Sequence, residues 1–335
     1  MNNRGKQTQT YFPVSYSTLS DTALRKFIGM TYGLNDITEF RYLLRGMNDT
    51  YLMKTTKVNY VFRVYRADRR SEYSEVAFEI ELLTYLDGKG IPVSLPIADQ
   101  SGNFIQTLNA LEGNRFGVLF SFVEGTERSI DDEEISHLFG KSVADIHTKT
   151  DGFQSEFTRQ PLDLAYLIHQ SFVSIEPYMN HRSVDFEWLR TFAKQLEERL
   201  LEFPLEELDW GICHGDLHGN TNVSFKEDMS YTHYDFDLCG FGWRAYDIAE
   251  FRLAREVRLR HDPDKLERLW NAFIEGYQSV RSLSEKDLQA VPMFVGIRQL
   301  WLMGLCLGDS HIHGSIDFDD DFISEKLDFF KNLQV

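Results

Sequence analysis

The first third of the chain is patterned as short strands. Three runs of apolar, aromatic and β-branched residues, 40–44, 51–55 and 60–65, are separated by turn residues. Two further runs cover 104–108 and 116–123, and the second of them is almost wholly apolar. Runs of this length between turn signals predict strands, and a wholly apolar run predicts a strand inside a sheet. The pattern therefore predicts a small, five-stranded antiparallel sheet.

Two helices are predicted to accompany this sheet. Ser20 and Asp21 form a helix start ahead of an apolar face, and Gly33 forms a helix stop, so a helical lead-in is predicted over 15–33. A second helix is predicted over 74–86, where apolar residues recur at helical spacing and two glycines follow.

Beyond position 124 the periodicity becomes helical. Helices are predicted over 133–148, 185–203, 245–258, 265–280 and 291–307. Only a polar loop and a short hairpin, at 213–235, interrupt them. The pattern thus predicts an α+β, bilobal chain, in which 1–123 form a lobe built on the antiparallel sheet and 124–335 form a largely helical lobe.

The polar loop holds the candidate chemistry. It reads Cys-His-Gly-Asp-Leu-His-Gly-Asn-Thr-Asn-Val over 213–223, and a second acidic unit, Tyr-Asp-Phe-Asp, follows the hairpin at 234–237. An acid and a carboxamide in one loop, a hairpin and a second acid are the parts required for Mg²⁺-dependent phosphoryl transfer. Asp216 would receive or orient the attacking hydroxyl, while the carboxamide and Asp235 would hold the metal on the phosphates.

Composition narrows the class of protein. Across 335 residues, 52 acidic and 35 basic side chains give a net charge of −17, which argues against a nucleic-acid partner and mildly favours cationic ligands. Three scattered cysteines form neither a disulfide framework nor a zinc-site spacing. The polar start lacks an apolar signal core, and no apolar run approaches bilayer-spanning length. A cytoplasmic protein without a membrane partner is expected.

Three motifs occur in a characteristic order: His-Gly-Asp-Leu-His at 214–218, Tyr-Asp-Phe-Asp at 234–237 and Gly-Trp-Arg-Ala-Tyr-Asp-Ile-Ala at 242–249. This order resembles the aminoglycoside phosphotransferase superfamily, whose relatives include choline kinases and type II homoserine kinases. The likeness extends from about position 40 to the C-terminus and is strongest in the block around these motifs. It implies a protein-kinase-like fold and an ATP- or GTP-dependent phosphotransferase that uses Mg²⁺.

The resemblance also implies site roles in the helical lobe. Asp216 matches the family's catalytic acid, and Asp235 matches its metal-binding acid. The family's metal-binding asparagine lies five residues after the catalytic acid, where this chain has Thr221. Asn222 is preferred over Asn220 as the metal ligand, because it directly precedes a predicted strand as the family's asparagine does.

For the nucleotide, the resemblance implies residues from the first half of the chain. Arg63, on the third strand, stands where the family has its phosphate-clasping basic residue, and Glu79 matches the helix glutamate that pairs with it. The glycine-rich phosphate cover is reduced to one turn, in which Asn48 is the candidate phosphate contact. Ser121 and Val123 match the hinge and would offer backbone groups to the adenine.

Four polar residues near the motifs have more than one interpretation. Asp237 either binds a second Mg²⁺ or caps a turn. His214 and His218 could suggest a metal cluster of a hydrolase, but further ligands at a suitable spacing are missing, so they are interpreted as a brace and a loop-shaping hydrogen bonder. Asp247 is expected to support the catalytic loop rather than to bind a ligand.

The function predicted from the chain is transfer of the γ-phosphate of ATP or GTP to a hydroxyl of a small molecule. The candidate acceptors are aminoglycoside-like amines, choline or ethanolamine, homoserine, and sugars or their amine adducts. The acidic balance weakly favours a cationic acceptor among them. The acidic run over 317–322 could line a site for such a cation, although a solvated helix start is the preferred interpretation. A Ser/Thr protein kinase of the same fold and a non-catalytic nucleotide-binding protein are the alternatives.

Overall fold

The computed structural model describes residues 12–128 and 131–333. It divides into two compact units. One is a sheet unit formed by the residues up to Tyr73 together with Ile97–Phe120, and the other is a helical unit formed by Ser74–Pro96 and the chain from Ser121 onward.

The sheet unit is built on five strands in the order β1-β2-β3-β5-β4. The strands are β1 Ile37–Arg45, β2 Asp49–Thr55, β3 Asn59–Val64, β4 Ile105–Ala110 and β5 Gly113–Ser121. Consecutive strands β1–β2, β2–β3 and β4–β5 pair in the antiparallel sense. The five predicted strands are confirmed, and the apolar strand β5 lies inside the sheet, between β3 and β4.

Helix α1, Asp21–Tyr32, covers part of this sheet. The Ser20 side chain accepts a hydrogen bond from the third residue of the turn, and Gly33 closes the helix with a left-handed φ of 69°. Leu24 and Ile28 share a buried core with strand residues such as Phe62. The predicted lead-in helix is confirmed, with both of its signals in the expected roles.

The helical unit contains eight α-helices among the described residues. They are α2 Tyr73–Gly88, α3 Glu133–Lys149, α4 Gln170–Met179, α5 Ser183–Leu201, α6 Arg244–Arg258, α7 Pro263–Gln278, α8 Glu285–His313 and α9 Asp320–Asn332. A π-helical turn, Ala165–His169, leads directly into α4. The predicted helices are present, while the π-turn with α4 was not predicted. Asp319 caps α9, so the acidic run over 317–322 is a helix start, as preferred.

Helix α2 belongs to the helical unit, whereas the sequence pattern placed it in the N-terminal lobe. The reason is its apolar packing. Phe78 contacts the rings of Phe153 and Phe241, with centroids 5.6 and 6.0 Å apart. The second unit boundary lies between Phe120 and Ser121, at the last residue of β5, close to the predicted boundary at position 123.

Helices α3 and α7 approach closely because each presents a glycine to the other. A Cβ atom on Gly140 would lie 2.0 Å from the carbonyl oxygen of Phe273, and one on Gly276 would lie 1.9 Å from the carbonyl oxygen of His137. Backbone meets backbone at both positions, so neither position has room for a side chain.

Helix α8 is much longer than the predicted 291–307, with 29 residues. Its mean hydropathy over the most apolar window is 1.5, so it is long and apolar enough to cross a bilayer, and the expectation that no run approaches that length is wrong. The window is 78% buried inside the protein, which is typical of a core helix. Five polar residues are buried along it: Asp287, Arg298, Gln299, Asp309 and Ser310.

Candidate active site

The candidate catalytic loop, residues 213–223, lies between two short strand pairs of the helical unit. Strand β6, Trp210–Cys213, pairs with β9, Gly240–Trp243, and β7, Val223–Phe225, pairs with β8, Tyr231–His233. The loop leaves β6 and enters β7. The acidic motif at 234–237 leaves β8 and leads to β9. The two motifs therefore emerge at the same end of the β7–β8 hairpin.

Asn222 and Asp235 are brought together by this hairpin. Val223 pairs with His233, and the Asn222 carbonyl accepts a hydrogen bond from the Tyr234 amide at 3.0 Å. Both Asn222 and Asp235 adopt left-handed backbone conformations, with φ of 67° and 64°. A non-glycine residue in this region is uncommon, and strain of this kind concentrates at functional sites.

Asp216 is held through both of its carboxylate oxygens. Oδ1 accepts a hydrogen bond from Arg298 Nη2 at 2.7 Å, and Oδ2 accepts one from Asn222 Nδ2 at 2.7 Å. The carboxylate remains 26% exposed. It is therefore fixed in orientation and still accessible to another molecule.

Arg298 lies on α8 with its side chain 3% exposed. Its Nη1 donates to the Gly215 carbonyl at 2.9 Å and to the Tyr246 hydroxyl at 2.8 Å, and it forms an ion pair with Glu250 at 3.0 Å. Burial alone would lower the pKa of Arg298, but Glu250, Tyr246 and Asp216 together raise that pKa above its ordinary value. The guanidinium is therefore charged.

Asp247, at the start of α6, supports the loop backbone as predicted. Its carboxylate accepts the amide hydrogens of His214 at 2.7 Å and Gly215 at 2.9 Å. Burial would raise the pKa of Asp247, but hydrogen bonds, first of all from His147, hold that pKa below its ordinary value. Burial lowers the pKa of His147, so a neutral imidazole donates Nε2–H to Asp247 and faces the Tyr277 hydroxyl through Nδ1.

The two loop histidines make different contacts: His214 links the loop to the segment after β8, and His218 bonds within the loop, in agreement with their predicted roles as a brace and a loop-shaping hydrogen bonder. His214 is buried, and its Nε2 contacts the Tyr234 carbonyl at 3.1 Å. His218 accepts the Asn220 amide hydrogen at Nδ1 and contacts the Thr221 hydroxyl through Nε2, both at 3.1 Å. The bonds of His218 shape the turn over 218–221.

Asn220 and Asn222 have different surroundings, and the preference for Asn222 as a metal ligand stays a prediction. Arg258 Nη1 donates to Asn220 Oδ1 at 2.6 Å, so that oxygen faces a cation on α6. Asn222 directs its NH₂ group to two oxygens of Asp216, the carbonyl at 3.1 Å and Oδ2 at 2.7 Å. Because the amide is planar, Asn222 Oδ1 lies on the opposite side and remains suited to a cation.

These donors fit Mg²⁺. Within residues 12–128 and 131–333, no group of three or more His, Cys, Asp and Glu side chains could form a metal cluster on its own. Mg²⁺ does not require one, since it is bound through one or two protein oxygens, phosphate oxygens and water. The Asn222 amide oxygen and the half-buried Asp235 carboxylate meet that requirement.

The Asp237 carboxylate lies beside the guanidinium of Arg159. It is 3% exposed, and its Oδ1 lies 3.7 Å from Nη2 of Arg159. The same guanidinium lies 3.9 Å from Oε2 of Glu79 and donates to the Glu75 carbonyl at 3.0 Å. Arg159 thus pairs with one carboxylate oxygen of Asp237, and the binding of a second Mg²⁺ by Asp237 stays a prediction.

In the sheet unit, Arg63 lies on the face of β3 opposite the buried Phe62, as strand alternation requires. Its guanidinium stacks over the rings of Tyr65 and Phe120, at 5.6 and 5.0 Å. Asn48 is buried in the β1–β2 turn, where its Oδ1 accepts the Arg66 amide hydrogen at 3.3 Å. Asn48 thus has a structural role in the turn, and its contact to phosphate stays a prediction.

The hinge backbone is only partly available to a ligand. The Ser121 amide donates to the Leu95 carbonyl, and the Ser121 carbonyl accepts from Ser94 Oγ, both at 2.8 Å. Among the residues that the structure describes, the Val123 backbone makes no hydrogen bond. Val123 is therefore better placed than Ser121 to offer its amide to an adenine.

Three residues of this site were not found from the sequence. They are Arg298, Glu250 and Arg159. Arg298 interrupts an otherwise apolar helix face, and a charge at such a position is almost always paired, which is the signal that could have identified it. Glu250 and Arg159 gave no comparable signal, because their partners are distant along the chain.

Comparison with known proteins agrees with this geometry. A profile of the phosphotransferase enzyme family matches residues 44–283. The uncharacterized protein sll1119 of Synechocystis sp. is 32% identical over 318 residues, which is 91% of this chain and 84% of that protein. The homoserine kinase of Agrobacterium fabrum is 25% identical over 294 residues, which is 83% of this chain and 82% of that enzyme.

Solved kinases share the fold. The amicoumacin kinase hAmiN, in complex with AMP-PNP, Ca²⁺ and Ami, superposes with a TM-score of 0.75 at 19% identity, covering 94% of both chains. A microcompartment-associated aminopropanol kinase gives 0.74 at 23% identity, covering 93% of this chain and 94% of that one. The α+β, protein-kinase-like fold is thus confirmed. With the profile spanning well over half of its length, the chain belongs to the phosphotransferase enzyme family of the aminoglycoside phosphotransferase superfamily.

Proposed function

We propose that the protein is a Mg²⁺-dependent kinase that transfers the γ-phosphate of ATP or GTP to a hydroxyl group of a small molecule. The observation that supports this most strongly is the state of Asp216. Its carboxylate is oriented by two hydrogen bonds of 2.7 Å, remains 26% exposed and adjoins the Asn222 side chain. A positioned carboxylate beside a cation-binding amide is the arrangement that phosphoryl transfer to an alcohol requires.

In the proposed reaction, Asp216 accepts a hydrogen bond from the acceptor hydroxyl and aims its oxygen at the γ-phosphorus. As the new P–O bond forms, the bond from phosphorus to the β–γ bridging oxygen breaks, and the hydroxyl proton passes to Asp216. Asn222 and Asp235 would hold Mg²⁺, which neutralises charge on the phosphates when bound. Most of the acceleration would come from positioning and charge stabilisation.

The nucleotide contacts follow from the resemblance and remain part of the proposal. Arg63 would bind phosphate, and Glu79 would orient it. Val123 would donate its backbone amide to the adenine, with Ser121 contributing through its carbonyl, and Asn48 would lie at the phosphate end. A guanidinium at Arg63 would grip two phosphate oxygens as a planar fork, unlike the ammonium that is common at this position in the family.

A hydroxylated amine is the acceptor class that we favour. Homoserine and aminopropanol, which appear in the names of related kinases, both combine a hydroxyl with an amino group. The net charge of −17 raises the local concentration of cations and disfavours nucleic acid. We further propose a cytoplasmic enzyme without a membrane partner, since the apolar stretch of α8 is largely buried within the protein.

The test is release of ADP or GDP by the purified protein with Mg²⁺ and ATP or GTP, across a panel of hydroxylated amines, amino acids and sugars. We expect acceptor-dependent release from the wild type and none from Asp216→Ala. The exposed-acid variant Asp264→Asn, in the first turn of α7, serves as the matched control and should retain wild-type turnover. Release that is independent of every acceptor, or equal in Asp216→Ala, would contradict the proposal.

A further inference from the structure

The charged side chain in the middle of α8 has a function that its burial alone does not explain. Arg298 lies 82 residues after Asp216 in sequence, yet its Nη2 is 2.7 Å from Asp216 Oδ1. We propose, building on the proposed kinase activity, that Arg298 is a positioning residue. It fixes the orientation of the Asp216 carboxylate for phosphoryl transfer without itself contacting nucleotide or acceptor.

Hydrogen-bond donors at both oxygens restrict rotation of the Asp216 carboxylate. A carboxylate held at one oxygen can still rotate and swing about that contact, whereas donors at both oxygens define its plane. Arg298 supplies the donor at Oδ1 and Asn222 the donor at Oδ2 of Asp216. Each carboxylate oxygen can accept two hydrogen bonds, so an acceptor hydroxyl can still bind to the oriented group.

Arg298 must itself be immobile in order to orient another group. Its Nη1 bonds the Gly215 carbonyl and the Tyr246 hydroxyl, and Glu250 pairs with it at 3.0 Å. The guanidinium also lies over the Trp301 ring at 4.6 Å. Contacts along its edge and on its face fix the guanidinium plane, and the charged bond transfers that order to Asp216.

Arg298 binds the loop at two successive residues. Nη1 bonds the backbone of Gly215 and Nη2 bonds the side chain of Asp216. The backbone at Gly215 has a φ of 81° and accommodates no side chain, because a Cβ there would lie 2.3 Å from the Leu238 carbonyl oxygen. A planar fork can make both contacts at once, whereas a lysine ammonium has neither the reach nor the geometry. Lysine is thus expected to be a poor substitute.

Electrostatics predicts a second consequence of removing the cation. Burial raises the pKa of Glu250 well above its ordinary value, and the charge of Arg298 opposes that rise. Without Arg298, its positive charge would no longer offset the repulsion between Glu250 and Asp216, and the loop between them would shift. Arg298→Gln therefore removes the charge but keeps a polar side chain, and Arg298→Ala leaves a cavity.

The kinetic experiment compares Arg298→Lys, Arg298→Gln and Arg298→Ala with wild type. We expect kcat to fall about 100-fold in each, since a misplaced reacting group costs rates of this order. The KM for nucleotide should stay within about threefold, because Arg298 would not touch nucleotide. Methylguanidinium should restore part of the kcat of Arg298→Ala and none of Asp216→Ala. Arg252→Gln, a variant of an ion-paired arginine on α6, is the control with unchanged kcat.

A second measurement does not depend on phosphate transfer. Hydrogen–deuterium exchange of the segment 213–223 should accelerate in Arg298→Ala, while exchange in α3 and α7 stays as in wild type. If wild type transfers phosphate and Arg298→Lys keeps kcat within a few-fold, positioning by Arg298 is refuted. A nucleotide KM that rises as steeply as kcat falls also refutes it, because that marks general disruption. If wild type transfers no phosphate, the kinase proposal fails. Whatever the kinetic result, unchanged exchange over 213–223 in Arg298→Ala would refute the proposal that Arg298 fixes the Asp216 carboxylate.

Discussion

Replacing Asp247 by asparagine removes one acceptor from the support of the catalytic loop while keeping the size of the side chain. In the native protein, one carboxylate oxygen accepts from the His214 amide at 2.7 Å and from His147 Nε2 at 3.0 Å. The other accepts from the Gly215 amide at 2.9 Å. An amide has a single acceptor oxygen, so its NH₂ group must face at least one N–H donor.

The loss of unfolding free energy in Asp247→Asn is estimated from the better of the two orientations of the amide. With the oxygen toward His214 and His147, the buried Gly215 amide loses its partner, which costs about 1–3 kcal/mol. The two remaining hydrogen bonds lose their charge assistance, which weakens each by about 1 kcal/mol. The neutral amide escapes part of the desolvation cost of a buried carboxylate, so we expect a net loss of about 2–3 kcal/mol.

Thermal unfolding and steady-state kinetics measure the two effects of Asp247→Asn. We expect the unfolding midpoint to fall by about 4–12 °C. Turnover should fall about 100-fold, because the loop that presents Asp216 loses its anchor. The exposed Asp264, at the start of α7, is the matched control, and its change to asparagine should alter stability by less than about 0.5 kcal/mol.

One result would refute this reasoning. If Asp247→Asn unfolded at the wild-type temperature and turned over as fast as Asp264→Asn, the hydrogen bonds to the loop amides would not be what fixes the catalytic loop.

Three further predictions follow from the site and the core. Asn222→Ala should raise the Mg²⁺ concentration for half-maximal turnover about 10-fold or more, and Asn220→Ala should leave it unchanged; equal shifts in a magnesium titration would contradict the ligand assignment. Burial lowers the pKa of His233 to about 3, so the unfolded chain binds a proton there below pH 6.5 while the folded chain does not, and stability falls as the pH drops. Between pH 7 and pH 5, the unfolding free energy of wild type should therefore fall by about 2 kcal/mol more than that of His233→Gln. An equal fall in both proteins would exclude a neutral buried imidazole. Gly140→Ala should destabilise by about 3 kcal/mol because of its contact with the α7 backbone, whereas Gly88→Ala, with open space around its Cβ position, should unfold as wild type; equal midpoints for the two would contradict the close helix approach.

Much of the fold could be predicted because its signals are local. Ser20 and Gly33 mark the ends of α1 through hydrogen bonds that reach only a few residues along the chain. The strands were recognisable for the same reason, since alternation and turn residues lie within each run. Helix α2 was recognised as a helix, but its place in the helical unit depends on contacts with Phe153 and Phe241, which no local pattern contains.

The π-helical turn Ala165–His169 shows the limit of periodicity. A π-turn shifts the apolar face within the helix, so a search for regular α-helical spacing finds no continuous stripe there. The end of α8 was missed for another reason. The apolar pattern weakens beyond Leu307, but the helix continues to His313.

The site residues, too, divide into those that short motifs predict and those that depend on contacts distant along the chain. Asp216 and Asp235 could be proposed from short motifs, because hairpin connectivity alone brings the two loops together. The preference for Asn222 over Asn220 gains its physical support from Arg258, which faces Asn220 from another helix. Arg298 could have been noticed as a charge on an apolar helix face, but its partner could not be predicted, since the contact with Asp216 spans 82 positions.

The most direct test of the account is formation of a phosphomonoester, followed by ³¹P NMR in mixtures of protein, Mg²⁺-ATP and a hydroxylated amine. Wild type should convert the γ-phosphate signal into a new phosphomonoester signal, and Asp216→Asn should slow that conversion by several orders of magnitude. Conversion by Asp216→Asn within a few-fold of wild type would contradict the account, because the oriented Asp216 carboxylate would then have no part in the transfer.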